Sequence, residues 1–330
     1  MTRYIVVGAG ALGALLAAQL YQASIPTVLV ARGSNLDQIR GNGVTVHRPH
    51  LTDVLRVPVV GGPDEVVLTP DDVLVLATKT QDVEQALQDW SWREVAGGGL
   101  AVDLPIVTLH NGLAAEDAAL RRFPAVYGAS MWIAAGYLTP GEVISPAWPV
   151  VGIAWVGALG EGTEAVAESI AHDFTRAGYL GRAVPDIRSV KAHKLLGNLA
   201  NALDLFSGTE AELADAKEQI VAEASAAYAA AGIVPVDPSA GTDIGFGSLK
   251  LQPVAGQPPL KRSTWQSFAR GASSEVDFLN GEIVLLGRLY GVPTPLNERV
   301  QRVLGALATT GGGAEPRDIN EVLPVRVGSS

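Results

Sequence analysis

The 330-residue sequence predicts an α/β protein whose N-terminal part is built on a parallel sheet and whose C-terminal part is helical. Three observations carry this. A short apolar strand runs directly into a glycine-rich turn near the N-terminus; strands then alternate with helix-forming stretches as far as Val184; beyond Val184 the spacing becomes almost wholly helical.

Tyr4 to Val7 is the first strand, and Gly8-Ala9-Gly10-Ala11-Leu12-Gly13 follows with the spacing of a dinucleotide-binding turn. The three glycines act differently. Gly8 turns the strand sharply, Gly10 lets backbone N–H groups approach a pyrophosphate, and Gly13 lets the next helix lie close to the sheet. The apolar run Ala14 to Leu20 supplies that helix and Thr27 to Val30 the second strand, completing a Rossmann-like βαβ unit. Its helix N-terminus favours an anion. After the second strand an NAD-selective site usually offers a carboxylate to the ribose. Here Arg32-Gly33-Ser34 stands instead, which points to NADP, with Asn35 as an additional donor to the phosphate.

Further βα units are Val73 to Ala77 with Gln81 to Gln88, and Pro105 to Leu109 with Ala114 to Arg121. Val54 to Val59 and Gly128 to Ile133 read as strands, and Gly141 to Ser145 and Gly152 to Val156 as antiparallel ones. Gly162 to Ala177 is a helix. Helical spacing then covers Asp186 to Phe206, Ala211 to Ala231, Ser263 to Ala269, Ser274 to Tyr290 and Asn297 to Ala308. Gly232 and Gly291-Val292-Pro293 read as helix stops. The expected organisation is a nucleotide-binding domain over 1–184, a helical domain over 185–310 that closes over it, and a polar tail over 311–330.

Composition narrows the function. The net charge of −10 and the lack of a dense basic patch exclude nucleic acid as a partner. No apolar run approaches the roughly 18 residues of a membrane span, and the chain enters a strand without a charged leader, so a cytoplasmic protein with no membrane partner is expected. Zero cysteines exclude disulfides and thiolate chemistry. The five histidines lack metal-ligand spacing, so no metal is expected.

Lys191, Lys194, Asn198 and Asn201 are spaced three, four and three apart, which sets two cations and two amides along one helix face. Such a stripe reads as a solvated face, Lys191 in particular, or as the wall of a cleft. In a cleft, Lys194 would donate a proton to an oxygen as hydride reaches its carbon, and Asn198 would orient that oxygen. Lys79 and Asn111 follow strands at the sheet edge where ligands bind. Lys79 suits a carboxylate or a phosphate, and Asn111 suits ribose, nicotinamide or substrate. Ser263 suits a substrate carboxylate, and Glu275 suits Lys194 or a substrate hydroxyl.

Together these positions resemble the ketopantoate reductase (2-dehydropantoate 2-reductase) family from Arg3 to about Ala308. The resemblance rests on Gly8-x-Gly10-Ala11-x-Gly13, Lys79, His110-Asn111-Gly112, Lys194-x-x-x-Asn198, Ser263-x-x-Gln266, Glu275-Val276-Asp277-Phe278-Leu279-Asn280-Gly281 and Gly291-Val292-Pro293-Thr294-Pro295-x-Asn297. It implies a Rossmann-like NADP domain joined to an all-helical substrate and dimerisation domain, a small 2-keto acid substrate and a homodimer. By the same carry-over Lys194 is the general acid, Asn198 orients the reacting oxygen, and Glu275 holds the lysine or the substrate. Gly8 to Gly13, Arg32, Lys79 and Asn111 bind NADP(H); Lys79, Asn111, Asn201 and Ser263 also face the substrate. The implied reaction reduces the C2 keto group of 2-dehydropantoate to pantoate, a step of pantothenate biosynthesis.

Three departures touch the pocket. Ala202 stands where the family commonly has a second substrate-facing Asn, with Asn201 one residue earlier, a rotation of roughly 100° around a helix. His110 replaces the usual Gln, and Trp265 the usual aliphatic residue. They favour, as an alternative, another branched or aromatic 2-keto or 2-hydroxy acid. A noncatalytic NADP-binding regulator ranks last, because every expected reacting residue is present.

Overall fold

The computed structural model describes residues 1–137, 139–271 and 274–323. The chain divides into two compact units. The first comprises 1–110, 114–190 and 237–260; the second comprises 111–113, 191–236 and Lys261 onward.

The strands of the first unit are β1 (Arg3–Val7), β2 (Thr27–Val30), β3 (Val44–Arg48), β4 (Leu51–Leu55), β5 (Val59–Val60), β6 (Asp72–Leu76), β7 (Ile106–Thr108), β8 (Ala125–Trp132), β9 (Glu142–Ile144), β10 (Ile153–Gly160) and β11 (Leu180–Ala183). Its helices are α1 (Ala11–Gln22), α2 (Gly33–Asn42), α3 (Val83–Trp90), α4 (Ala114–Leu120) and α5 (Glu164–Arg176), followed by α6 (Ile187–Leu199), within which the division falls. Among the described residues an eight-stranded sheet runs β11-β10-β8-β7-β6-β1-β2-β5. Its pairs are parallel except β8 with β10.

Alternation along the strands places side chains on both faces. Tyr4, Val6, Val73 and Val75 join α1 and α5 in one core, whereas Ile5, Val7, Leu74 and Leu76 join α3 and α4 in another. Burial on both faces explains why these strands read as continuous apolar runs. Tyr4 Oη also donates to Asp173 of α5 at 2.9 Å, fixing β1 beneath that helix.

Three sequence expectations need correction here. Val54 to Val59 is not one strand: β4 ends at Leu55, and Val59–Val60 forms β5 beside β2, with Pro58, which has no N–H for a ladder, between them. The Gly141 to Ser145 segment forms β9, which pairs with β3 in parallel, because the β3–β4 hairpin leaves that edge of β3 open. Residues 237–260 belong to the first unit instead of a continuous helical domain. There Phe246 stacks on Trp132 with ring centroids 4.2 Å apart, and Ile244 and Leu249 pack on the cluster containing Trp132 and Trp155.

The second unit continues α6 through a 3-10 segment, Ala200–Leu205, into α7 (Glu210–Ala231), α8 (Ser263–Ala269), α9 (Asn280–Tyr290) and α10 (Pro295–Thr309). Its core gathers Leu195, Leu199, Ile220, Tyr228, Ile283 and Val300. Thr209 and Glu212 form a capping box on α7, and Gly232 and Gly291 end α7 and α9 in the left-handed conformation, φ 70° and 72°. Among the described residues the strands of this unit are the two-residue β12 (Phe206–Ser207) and β13 (Arg317–Asp318). That pairing, and the fully buried Ile319, draw the start of the expected tail into the core. Residues 324–330 lie outside the described residues.

One polar lock organises these helices. The Glu223 carboxylate of α7 accepts from the backbone N–H groups of Leu296 and Asn297 at 2.8 and 3.0 Å and from Asn297 Nδ2 at 2.8 Å. Asn297, fully buried, also donates to Ile220 O and accepts from Asn280 Nδ2. A carboxylate at the α10 N-terminus satisfies its first-turn donors and its dipole. Glu223→Ala is expected to lower unfolding free energy by about 2–4 kcal/mol, with Glu223→Gln intermediate, in urea denaturation followed by circular dichroism.

Candidate active site

In the first unit, β1 hands over to α1 through backbone contacts that exclude side chains. Gly8 has φ +114°, and a Cβ there would lie 2.7 Å from Ala77 O. A Cβ on Gly13 would lie 1.9 Å from Gly8 O and 2.8 Å from Ala77 Cβ. Gly10 differs, since a Cβ there would meet nothing within 4 Å. The N-cap of α1 is Gly10 itself, with no side-chain cap and no acidic residue in the first turn. By helix geometry the N–H groups of Ala11, Leu12 and Gly13 lack intrahelical acceptors, which makes an anion cradle beside an open backbone. This is the environment a dinucleotide pyrophosphate requires.

Asn35, read as an additional phosphate donor, holds two parts of the chain together. Its Nδ2 donates to Ala9 O at 2.6 Å, and its Oδ1 accepts from Gly141 N at 2.8 Å, so both ends of the amide brace the glycine loop. Arg32 lies at the end of β2 as the N-cap residue of α2, largely exposed, and donates to Asp89 at 2.7 Å. Lys79 lies past β6, partly buried, at the start of a 3-10 turn, Thr80–Asp82. His110 is buried, with Nε2 3.3 Å from Thr78 Oγ1.

In the second unit, Lys194 and Asn198 lie one turn apart on α6, and the Glu275 carboxylate acts on Lys194 from the turn before the Val276–Phe278 segment. Burial pushes the Lys194 ammonium down from its ordinary 10.5 to about 7; the Lys191 charge adds to the fall and the Glu275 carboxylate opposes it. Asn201 Nδ2 donates to Asn198 Oδ1 at 3.4 Å, which leaves Asn198 Nδ2 buried with no hydrogen-bond partner among the described residues. A buried donor left in this way is what a ligand oxygen would satisfy. Ala202 is packed in the apolar core, so the amide at 201 cannot occupy the direction of 202.

Asn111 belongs by its packing to this unit. Gly112, at φ +80°, brings the loop so close to the turn after Glu275 that a Cβ would lie 2.6 Å from Phe278 O. Ser263 is exposed at the first turn of α8, whose start is tied to the 3-10 segment by Arg262, 3.4 Å from Ala200 O and from Asp204. The reading of Lys191 as solvated is corrected: it is only 2% exposed. The signal available in the sequence was its position between Val190 and Ala192, in a helix whose face holds Leu195 and Leu199. Among the described residues no cluster of three or more His, Cys, Asp or Glu could hold a metal, and no helix is long and apolar enough to cross a membrane.

Comparison with known proteins matches residues 4–158 to the family model described as ketopantoate reductase PanE/ApbA, and residues 186–308 to that described as ketopantoate reductase PanE/ApbA C terminal. The chain is 23% identical to the 2-dehydropantoate 2-reductase of Pyrococcus horikoshii, over 94% of this chain and 99% of that one. It is 28% identical to that of Mesorhizobium japonicum, over 93% and 98%. Among solved structures it is similar to D-mandelate dehydrogenase with NADH and anilino(oxo)acetate, at TM-score 0.75, 22% identity and coverage of 94% and 99%. It is similar also to the PanE/ApbA family ketopantoate reductase from Ralstonia eutropha JMP134, at TM-score 0.74, 23% identity and the same coverage.

The glycines separate folding from nucleotide binding. Gly10→Ala is expected to leave the melting temperature unchanged while weakening dinucleotide affinity at least about tenfold, read by fluorescence titration. Gly13→Ala should lower the melting temperature as well, because its methyl group collides with backbone.

Proposed function

The chain belongs to the ketopantoate reductase family, and on that premise we propose that it catalyses NADPH-dependent reduction of 2-dehydropantoate to pantoate. The observation that carries the reading is the pairing of a lysine poised at about 7 with a buried, unspent amide donor one turn along the same helix. A ketone oxygen that becomes an alkoxide needs both: a proton at hand and a donor fixed toward it.

The α1 N-terminus would hold the pyrophosphate of the nicotinamide dinucleotide, with Arg32 meeting the 2′-phosphate after leaving Asp89. When bound, that cofactor supplies the hydride for C2. Lys194 gives its proton to the C2 oxygen and is reprotonated from solvent. Asn198 Nδ2 donates to the same oxygen and orients it. Glu275 keeps its charge beside Lys194 and favours the ammonium against desolvation. Lys79, Asn111 and Ser263 are assigned to the cofactor phosphate or ribose and the substrate carboxylate. Soluble expression in the cytoplasm, a homodimer and a place in pantothenate formation accompany this reading.

A second reading, another branched or aromatic 2-keto acid, is favoured by Ala202, whose burial in the core leaves the pocket without the family's second amide. The test is NADPH oxidation by the purified protein with 2-dehydropantoate and with branched, linear and aromatic 2-keto acids. Selective turnover of 2-dehydropantoate supports the first reading; selective turnover of another acid supports the second; no turnover with any of them removes both.

Lys194→Ala is expected to lower kcat for reduction about 10²–10⁴-fold with unchanged dinucleotide affinity. Because the acid form is the active one, kcat/KM for reduction should be constant on the acid side and fall as pH rises through about 7. Arg32→Ala should cut the NADPH over NADH preference in kcat/KM about tenfold or more, checked by steady-state kinetics with both cofactors.

A further inference from the structure

Arg32 and Asp89, both in the first unit, each stand at a helix end that disfavours their charge. Arg32 is the N-cap residue of α2, a place suited to anions, and Asp89 lies in the last turn of α3, a place suited to cations. Neither charge helps its own helix. They answer each other instead, with Arg32 Nη2 donating to Asp89 Oδ2 at 2.7 Å across 57 residues of sequence. The carboxylate is also held in orientation: Gln85, one turn earlier on α3, donates from Nε2 to its other oxygen, Oδ1, at 2.8 Å. The nearby Arg93 does not take Arg32's place, because its guanidinium donates to Asp64 at 2.5 Å and to the backbone carbonyl of Asp89 at 2.8 Å. We propose that Asp89 is a specificity-determining residue for the dinucleotide: its carboxylate competes with the 2′-phosphate of NADP(H) for Arg32, and so weakens NADP(H) binding while leaving NAD(H) binding as it is. This rests on the reading of Arg32 as the ligand of that phosphate.

The pair can exchange partners at modest cost. Arg32 is largely exposed and Asp89 only partly buried, so their attraction acts through water. A phosphate monoester offers the same guanidinium fork about two negative charges and several acceptor oxygens. The start of α2 leaves room for it. Gly33 and Ser34 are exposed, a Cβ on Gly33 would meet nothing within 4 Å, and the first turn holds no acidic residue and no side-chain cap. Asn35 stays out of the exchange, since both ends of its amide are bonded to Ala9 and Gly141. When Arg32 turns to a phosphate, Asp89 keeps its bond from Gln85 and loses its cation. Both the broken pair and the repulsion between carboxylate and phosphate count against NADP(H). The hydroxyl that NAD(H) carries at the same carbon calls for no cation and leaves the pair standing. The apparent affinity for NADP(H) is therefore reduced by the fraction of molecules in which Arg32 is released. The chain discriminates between the two dinucleotides less sharply than Arg32 alone would make it.

The experiment measures Kd by calorimetric titration of the full chain with NADPH, NADH, 2′,5′-ADP and 5′-ADP. The proteins are the wild type, Asp89→Asn, Asp89→Glu, Arg32→Ala and the double variant Arg32→Ala with Asp89→Asn. Asn at 89 keeps an oxygen for Gln85 and removes only the charge; Asp89→Ser replaces it if a thermal melt shows that Asp89→Asn does not fold. The expected result is that Asp89→Asn binds NADPH and 2′,5′-ADP about three- to tenfold more tightly than the wild type, and NADH and 5′-ADP within about twofold of it. Asp89→Glu should stay with the wild type, and the gain from Asp89→Asn should fall below about twofold in the Arg32→Ala background. If Arg32→Ala loses NADPH affinity while Asp89→Asn gains none, the proposal is overturned and Arg32 remains the phosphate ligand. A gain shared by all four nucleotides, or equally large without Arg32, also overturns it, since Asp89 would then act through overall charge or the fold. If Arg32→Ala leaves NADPH and 2′,5′-ADP affinities unchanged, the reading of Arg32 itself falls and takes the proposal with it.

Discussion

The first unit is organised by a contact that tolerates no side chain. Helix α1 starts so close to the end of β1 that the Gly8 carbonyl and Ala77 occupy the space a methyl group on Gly13 would need. Because β1 lies between β2 and β6, this one approach sets the height of α1 above the sheet. The apolar face of α1 then covers the strand residues Tyr4, Val6 and Val75. The first-turn N–H groups of α1 face outward beside Gly10, where an anion has room. Asn35 holds that loop from one side by spanning Ala9 and Gly141, so the nucleotide cradle is braced before any ligand arrives.

The second unit resolves a different conflict, the presence of lysines and amides against a helical core. Its fold is held by charges that are satisfied: Glu223 caps α10 and engages Asn297, which in turn bonds α7 and α9. Lys194 is a charge that is less well accommodated. Lys194 titrates near 7 in the folded chain and near 10.5 when exposed. Between those values the unfolded chain holds a proton that the folded chain lacks, so stability rises with pH across that interval and the cost is fully felt below it. The folded chain therefore gives up stability near neutral pH at this lysine.

The local signals proved sufficient for β1, the glycine turn and α1. Gly8 and Gly13 were legible because the turn and the helix contact each demand a missing Cβ, whereas a Cβ at Gly10 meets only open space. That Lys194 and Asn198 share one side of α6 was legible because helical spacing fixes which residues share a face. Lys191 was misread by the same logic. Periodicity says that it shares a face with Lys194 and also with Leu195 and Leu199, and the reading weighed its charge above those apolar neighbours. Asn35 was placed correctly after the second strand, yet its amide was assigned to a phosphate because its real partner, Gly141 N, lies 106 residues away.

By itself the sequence determined the α/β architecture, the family, the glycine turn after β1 and the line of polar groups along α6, since each depends on residue type at short, regular spacing. Tertiary structure alone decided which long-range partners those residues meet. It returned residues 237–260 to the first unit through Phe246 on Trp132, drew Ile319 into the second core, and buried Lys191 beside Lys194. The physical reason is common to all three: burial, and with it the proton affinity of a lysine, is set by what packs against a side chain from distant parts of the chain.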